Sequence, residues 1–368
     1  MLKKYPYYIK STAILLGLSL LSYAVYAMAE ILIPIAFALL LSILLNPLVT
    51  RFQRWKVPHA ISIILTMLIA LATIIAIGYF LSTQIMSFKS DLPLLKKKFG
   101  EMLVQFQGWI QYHMGVTLSK QNQIFSESEA GIRPVVTQAL GSVLGGLAVS
   151  ILVPIYIFLF LFYKTLFLNF LYEVFAEENS KEVGSVLHQT KGAIQNYMVG
   201  LLVEGAIVAS LNTIALFILG VKYAVMLGIL GAILNVLPFI GGILAVILPL
   251  IMATATKDGM HTQIGIIIAY VIIQFIDNHF LVPWIVSAKV RINALISIVV
   301  VLLGGAVWGI SGMFLSIPFI GVIKIIFDRI PELKPWGKVL GDEIPNHHKG
   351  EIWSRRKRVT LIKVEKEK

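Results

Sequence analysis

Three groups of polar residues interrupt an otherwise apolar chain, and each could do chemistry. Glu204 is the single carboxylate in a long apolar stretch. Asn196 and Gly200 precede it at helical spacing and Asn212 follows two turns later, so positions 200, 204, 208 and 212 share one helix face. A buried carboxylate there can exchange a proton or bind a cation; the plainer alternative is an interhelical hydrogen bond. The second group is NVLPFIGG, with Asn235, Pro238, Gly241 and Gly242. Pro238 removes a backbone donor and the glycines loosen the helix, as expected of a broken helix at a solute or ion site. The alternative is a turn between two short helices at the membrane surface. The third group is QFIDNHFLVP, which carries Gln274, Asp277, Asn278, His279 and Pro283. Its acid and its histidine could line a pathway entrance, or they could belong to an ordinary interfacial loop in which Asp277 caps a helix.

The elements that hold these groups are read from the absence of charge. Residues 11–29, 31–50, 57–88, 134–163, 223–256 and 292–323 contain no Asp, Glu, Lys or Arg. A helix needs about 20 mostly apolar residues to cross the hydrocarbon layer, and a soluble helix cannot run that far without a polar face. The chain is 58% hydrophobic and 14% charged, with a mean hydropathy of +0.85. The expected fold is an all-α polytopic membrane protein of about eight transmembrane helices, with a broken or re-entrant segment at 221–256 and amphipathic interfacial helices.

The organisation follows. Residues 1–88 hold transmembrane helices 1–3, where the first two meet near Pro34 as a tight hairpin or one kinked helix. Residues 89–135 form an amphipathic extramembrane region, in which Leu95, Phe99, Met102, Phe106 and Trp109 recur at three- and four-residue steps. Residues 136–163 are helix 4, and 164–193 are a second amphipathic interfacial stretch. Residues 194–327 are the C-terminal transport core, and 328–368 a basic tail. GxxxG spacing at Gly141 and Gly145 and at Gly305 and Gly309, with Gly312 beyond, predicts close helix packing. The N-terminal apolar run could pass for a signal peptide, but a second apolar run follows at once, so an uncleaved span is expected.

The net charge of +12 is read as topology: basic clusters at the N-terminus, at Arg51 to Lys56 and at SRRKR (354–358) predict that both termini are cytoplasmic. Lys96, Lys97 and Lys98 oppose that assignment. Nucleic acid is not an expected partner; the lipid bilayer is. With no cysteine, disulfide and thiolate chemistry are excluded. The chain contains no HExxH, GxSxG or GxxxxGK[ST], no second close His or carboxylate set with metal-ligand spacing, and nothing that calls for a cofactor. An enzyme is not expected.

Three motifs in order resemble the AI-2E transporter family: LPFIGG (237–242), QFIDNHFLVPWIVSAKVRINAL (274–295) and GGAVWGISGMFLSIP (304–318). One departure is visible, because the family often has His-Pro where this chain has Ile292-Asn293-Ala294. The resemblance implies a bacterial inner-membrane protein and a homo-oligomer, with a pentamer as the implied assembly. It also implies export of a small solute such as a signalling molecule, or exchange of cations for protons. On the residues alone, three readings stay open: a secondary transporter, a passive oligomeric channel, and a non-transporting membrane scaffold.

Overall fold

The computed structural model describes residues 6–123, 152–175, 180–236, 241–257, 259–286 and 292–342. Gly141, Gly145 and Pro238 lie outside them. The protein is an all-α polytopic membrane protein. Among the described residues five helices are long and apolar enough by length and composition to cross a bilayer, one of which, Ala294–Arg329, folds back on itself, or six if one bent pair is a single span. The faces of these helices carry exposed Leu, Ile and Phe throughout, surface that only hydrocarbon or another apolar partner solvates.

Helix α1 (Tyr7–Ala27) ends at Met28, and α2 (Ala29–Arg54) begins one residue later. They touch little beyond that junction, so they form a bent, extended element, not an antiparallel hairpin. Helix α3 (His59–Met114) is 56 residues long and passes through Pro93. At 1.5 Å per residue it reaches about 84 Å, far beyond a hydrocarbon core of about 30 Å. The segment following residue 88 is therefore a continuation of the third span, not a separate helix lying on the membrane. It ends at Gly115, whose φ of 67° supplies a left-handed cap. Helices α4 (Leu152–Phe162) and α5 (Lys164–Val174) are bent by 63°. The Lys164 ammonium donates to Asn46 Oδ1 on α2 at 3.0 Å, which fixes the start of α5. Helix α6 (Ser180–Ile218) runs 39 residues without a break, so residues 180–193 belong to the same helix as Glu204.

The two interrupted apolar runs both fold back on themselves. Helices α7 (Ala224–Asn235) and α8 (Gly241–Thr256) pack against each other. A Cβ on Gly231 would sit 3.5 Å from Ala245 Cβ, and one on Gly241 would overlap the carbonyl of Leu234. At 12 and 16 residues the arms reach only about 18 and 24 Å, short of a full crossing. Helices α7 and α8 thus form a hairpin of two short arms, the geometry of a re-entrant segment. Helix α9 (His261–Ile276) continues directly as a π-helical stretch, Asp277–Val286.

The final long helix, α10 (Ala294–Arg329), is a second hairpin. Its backbone leaves helical geometry at Trp308 and Gly309, and Gly309 has φ 59°. Ser316 Oγ donates to the Val300 carbonyl at 2.9 Å across the fold. Gly304 and Gly312 face each other so closely that a Cβ on either would overlap the other's carbonyl, while Gly305 packs on the Met313 side chain. The small residues thus serve contact within one hairpin. Trp308 at its tip donates from Nε1 to the Val25 carbonyl at 3.0 Å, tying the turn to α1. A short helix, α11 (Lys334–Leu340), packs on α10.

The Gly304→Ala variant should lower the thermal midpoint in detergent clearly, because backbone cannot yield; overpacking of this kind costs about 1–3 kcal/mol or more. Gly305→Ala should cost much less, since Met313 can swing aside. Equal midpoints for the two variants would contradict the fold-back.

Candidate functional site

Each polar group singled out from the sequence has a defined place. On α6, Glu204 is 6% exposed, with Gly200, Val208 and Asn212 buried along the same face. Asp277 sits where α9 changes from α to π geometry and is 2% exposed. Departures of this kind shift the register of following side chains and occur often at functional sites. Pro283, which has no N–H to donate, lies within the π stretch but is exposed and outside the cavity lining.

Asp277 Oδ2 accepts from Asn235 Nδ2 at 2.8 Å and, more weakly, from Gln274 Nε2 at 3.5 Å. Gln274 Nε2 also lies 3.5 Å from Asn278 Oδ1. Asn235 is the last residue of α7, so the carboxylate of one span is bound to the tip of the first hairpin. Gly242 makes room for this: a Cβ there would overlap the Gln274 amide and stand 3.5 Å from Asn235 Oδ1. The two glycines therefore have separate roles, Gly241 closing the α7–α8 turn and Gly242 admitting Gln274.

Glu204 and Asp277, from different helices, lie within electrostatic and hydrogen-bonding reach of each other. Two ionised carboxylates cannot hydrogen-bond, because neither donates. In that state Asp277 Oδ1 has no donor among the described residues. Two ionised carboxylates brought this close repel, and a proton or a cation between them would relieve that repulsion.

These groups line a cavity of about 1100 Å³. Tyr197, Leu201 and Glu204 come from α6, Asn235 and Val236 from the end of α7, and Gly242 through Leu250 from α8. Tyr270, Gln274, Asp277 and Asn278 line it from α9 and its π extension, and Ala294, Ser297, Ile298 and Ile317 from the second hairpin. Asn212 is buried but lies outside this lining; with Tyr270 it brackets Gly231, where a Cβ would stand 3.2 Å from Asn212 Nδ2 and 3.6 Å from the Tyr270 hydroxyl. His279 is exposed, stacks on Phe275 at 4.3 Å and is absent from the lining, so it does not pair with Asp277 as a second titrating group of the site. Among the described residues no group of three or more His, Cys, Asp or Glu could hold a metal ion.

Sequence reasoning passed over Tyr197, Tyr270, Ser297 and Asp342, which all line the cavity. Asp342 arrives through Asn293, at the position where the family motif is departed from. Asn293 Oδ1 caps α10 by accepting from Ile296 N at 2.9 Å, while its Nδ2 donates to the carbonyls of Val339 at 2.7 Å and Gly341 at 3.1 Å. One side chain thus starts the hairpin and pins the end of α11, next to Asp342, to the cavity rim.

The profile of the AI-2E family transporters matches residues 13–332. The chain belongs to the AI-2E transporter family. A candidate transport protein of Haemophilus influenzae is 23% identical over 85% of this chain and 91% of its own length. YhhT of Escherichia coli K12, also named a candidate transport protein, is 24% identical over 82% and 85%. TqsA of the same organism, named as an AI-2 transport protein, is 22% identical over 82% and 86%. The AI-2E chain described here is a multi-pass membrane protein of a transporter or permease type, and its cavity lies between the two hairpins that carry the family motifs.

Replacing Asn235 by Leu strands the Asp277 carboxylate, and a buried polar group left without its partner costs about 1–3 kcal/mol. Unfolding by SDS titration should show that loss. In a background already carrying Asp277→Leu, the same change should cost well under half as much, because no acceptor is left to strand.

Proposed function

We propose that this AI-2E family chain is a secondary transporter of the bacterial inner membrane, working as a homo-oligomer and exporting a small solute, or exchanging it, against protons. The observation that carries this reading is the meeting of Glu204 and Asp277, from two different helices, in a cavity at the tip of a re-entrant hairpin. Charged groups are costly within a bilayer and are kept where they face a cavity or a partner. A carboxyl pair that holds either a proton or a solute, but not both, supplies coupling: loading one releases the other. The hairpin tip adds a movable contact, because Asn235 grips Asp277 directly and so senses its state. TqsA's name offers the signalling molecule AI-2 as one solute to test.

Reconstitution into liposomes with a lumenal pH dye tests this. An imposed gradient of AI-2, or of sodium, should drive a saturating proton flux in the opposite direction. Glu204→Gln and Asp277→Asn should each reduce that flux at least tenfold while leaving the chain folded by thermal midpoint. Uncoupled flux that never saturates would replace the transporter by a channel. Unchanged coupled flux in both folded variants would remove the carboxyl pair from the mechanism. No movement of either solute in any condition would favour a scaffold.

A further inference from the structure

Resting on the reading of this cavity as the transport site, we infer that the cavity takes organic cations with an apolar body, a ligand of drug size carrying a permanent or protonated positive charge. Three observations meet here. The first is sign. Glu204, Asp277 and Asp342 line the cavity, and no Lys, Arg or His does so among the described residues. The charges of the described lining favour a cation over an anion, and charge complementarity of this kind is what selects a partner.

The second observation is an unanswered acceptor at the cavity wall. Asp277 is 2% exposed, and while Glu204 is ionised its Oδ1 has no donor among the described residues. The amides of Asn235 and Gln274 both go to the other oxygen, Oδ2. A buried carboxylate oxygen left open in this way is stabilised by a positive charge or a strong donor brought in by a ligand.

The third observation is the shape and lining of the space. A volume of about 1100 Å³ is slightly larger than the usual range of pockets for drug-sized ligands, about 300–1,000 Å³. Among the described residues no group of three or more His, Cys, Asp or Glu could hold a metal ion, so the lining is not that of a clustered-carboxylate metal site. The walls are instead built from side chains such as Ile243, Val246, Ile247 and Val271, with two tyrosine rings, Tyr197 and Tyr270. Apolar walls reward burial of a hydrocarbon body, and aromatic faces attract a cation that has been stripped of water. The acidic pole and the greasy wall together describe one ligand: positive at one end or at its centre, apolar around it.

Two ions of the same shape and opposite charge separate this from simple greasiness. Tetraphenylphosphonium and tetraphenylborate are to be measured by equilibrium dialysis against the full chain in phosphatidylcholine nanodiscs, with empty discs subtracted. The expected result is saturable tetraphenylphosphonium binding, at least tenfold tighter than tetraphenylborate. The Glu204→Gln/Asp277→Asn double variant should weaken it tenfold or more. Ile247→Trp, which keeps every charge but fills the wall, should weaken it similarly, so a fold defect in either variant leaves the other to decide. Equal binding of the two ions, no binding above empty discs, or wild-type affinity in both variants would overturn the inference. Because no gradient is used, coupled proton flux in liposomes without phosphonium binding removes only this ligand class. Phosphonium binding without any flux removes the transport reading and leaves the site.

Discussion

A carboxylate pair on the wall of a cavity inside a hydrocarbon-solvated protein is the constraint on which the rest of this structure turns. Hydrocarbon offers no hydrogen bonds, so each polar atom at membrane depth has to be answered by the protein or by a water-filled space. Asp277 is answered by the tip of one re-entrant hairpin through Asn235 and by its own helix through Gln274. Its second oxygen is buried and has no donor among the described residues while Glu204 is ionised. The hairpin, the α-to-π change at Asp277 and the double glycine at 241–242 are local solutions to that single requirement. Each brings backbone or an amide where a straight helix with ordinary side chains could not.

The second hairpin completes the cavity by a different route. Ser316 satisfies the Val300 carbonyl across the fold, Gly304 and Gly312 let the arms touch, and Trp308 anchors the turn to α1. Its arms are about 15 and 20 residues, near 22 and 30 Å, so it encloses space without relying on one long span. Asn293 then links this hairpin to α11 and places Asp342 at the rim. Long-range order in the C-terminal half therefore runs through a few side-chain-to-carbonyl contacts, set among close-packed small residues.

Much of this was legible in the residues. Charge-free runs marked most of the membrane segments, and isolated polar residues in apolar surroundings marked Glu204, Asn235, Gln274, Asp277 and Asn278, which all reach the cavity. The limits are physical. A run that is apolar on every side has no polar face, so its period cannot report whether it crosses once or folds back; α10 looked like a single interrupted span for that reason. The change from apolar to polar sequence after residue 88 suggested a separate element, yet α3 runs on through it and through Pro93. His279 stood two residues from Asp277 and was read with it, but stacking on Phe275 turns it to the outside. Tyr197 and Tyr270 are ordinary membrane-helix residues in type, and only tertiary packing turns them inward. Asp342 sits in a basic tail, where nothing local marks it.

The central claim is that a water-accessible cavity opens between the two hairpins in a chain otherwise solvated by lipid. The chain has no cysteine, so single cysteines report without a background. Ser297→Cys and Ile243→Cys, in the cavity wall, should react with a membrane-impermeant thiol reagent in intact liposomes, from one side or the other. Leu302→Cys, on the lipid-facing surface of the same hairpin, should stay unreacted. Inert cysteines at 243 and 297 in folded protein, or labelling at 302 as fast as at 297, would contradict the account.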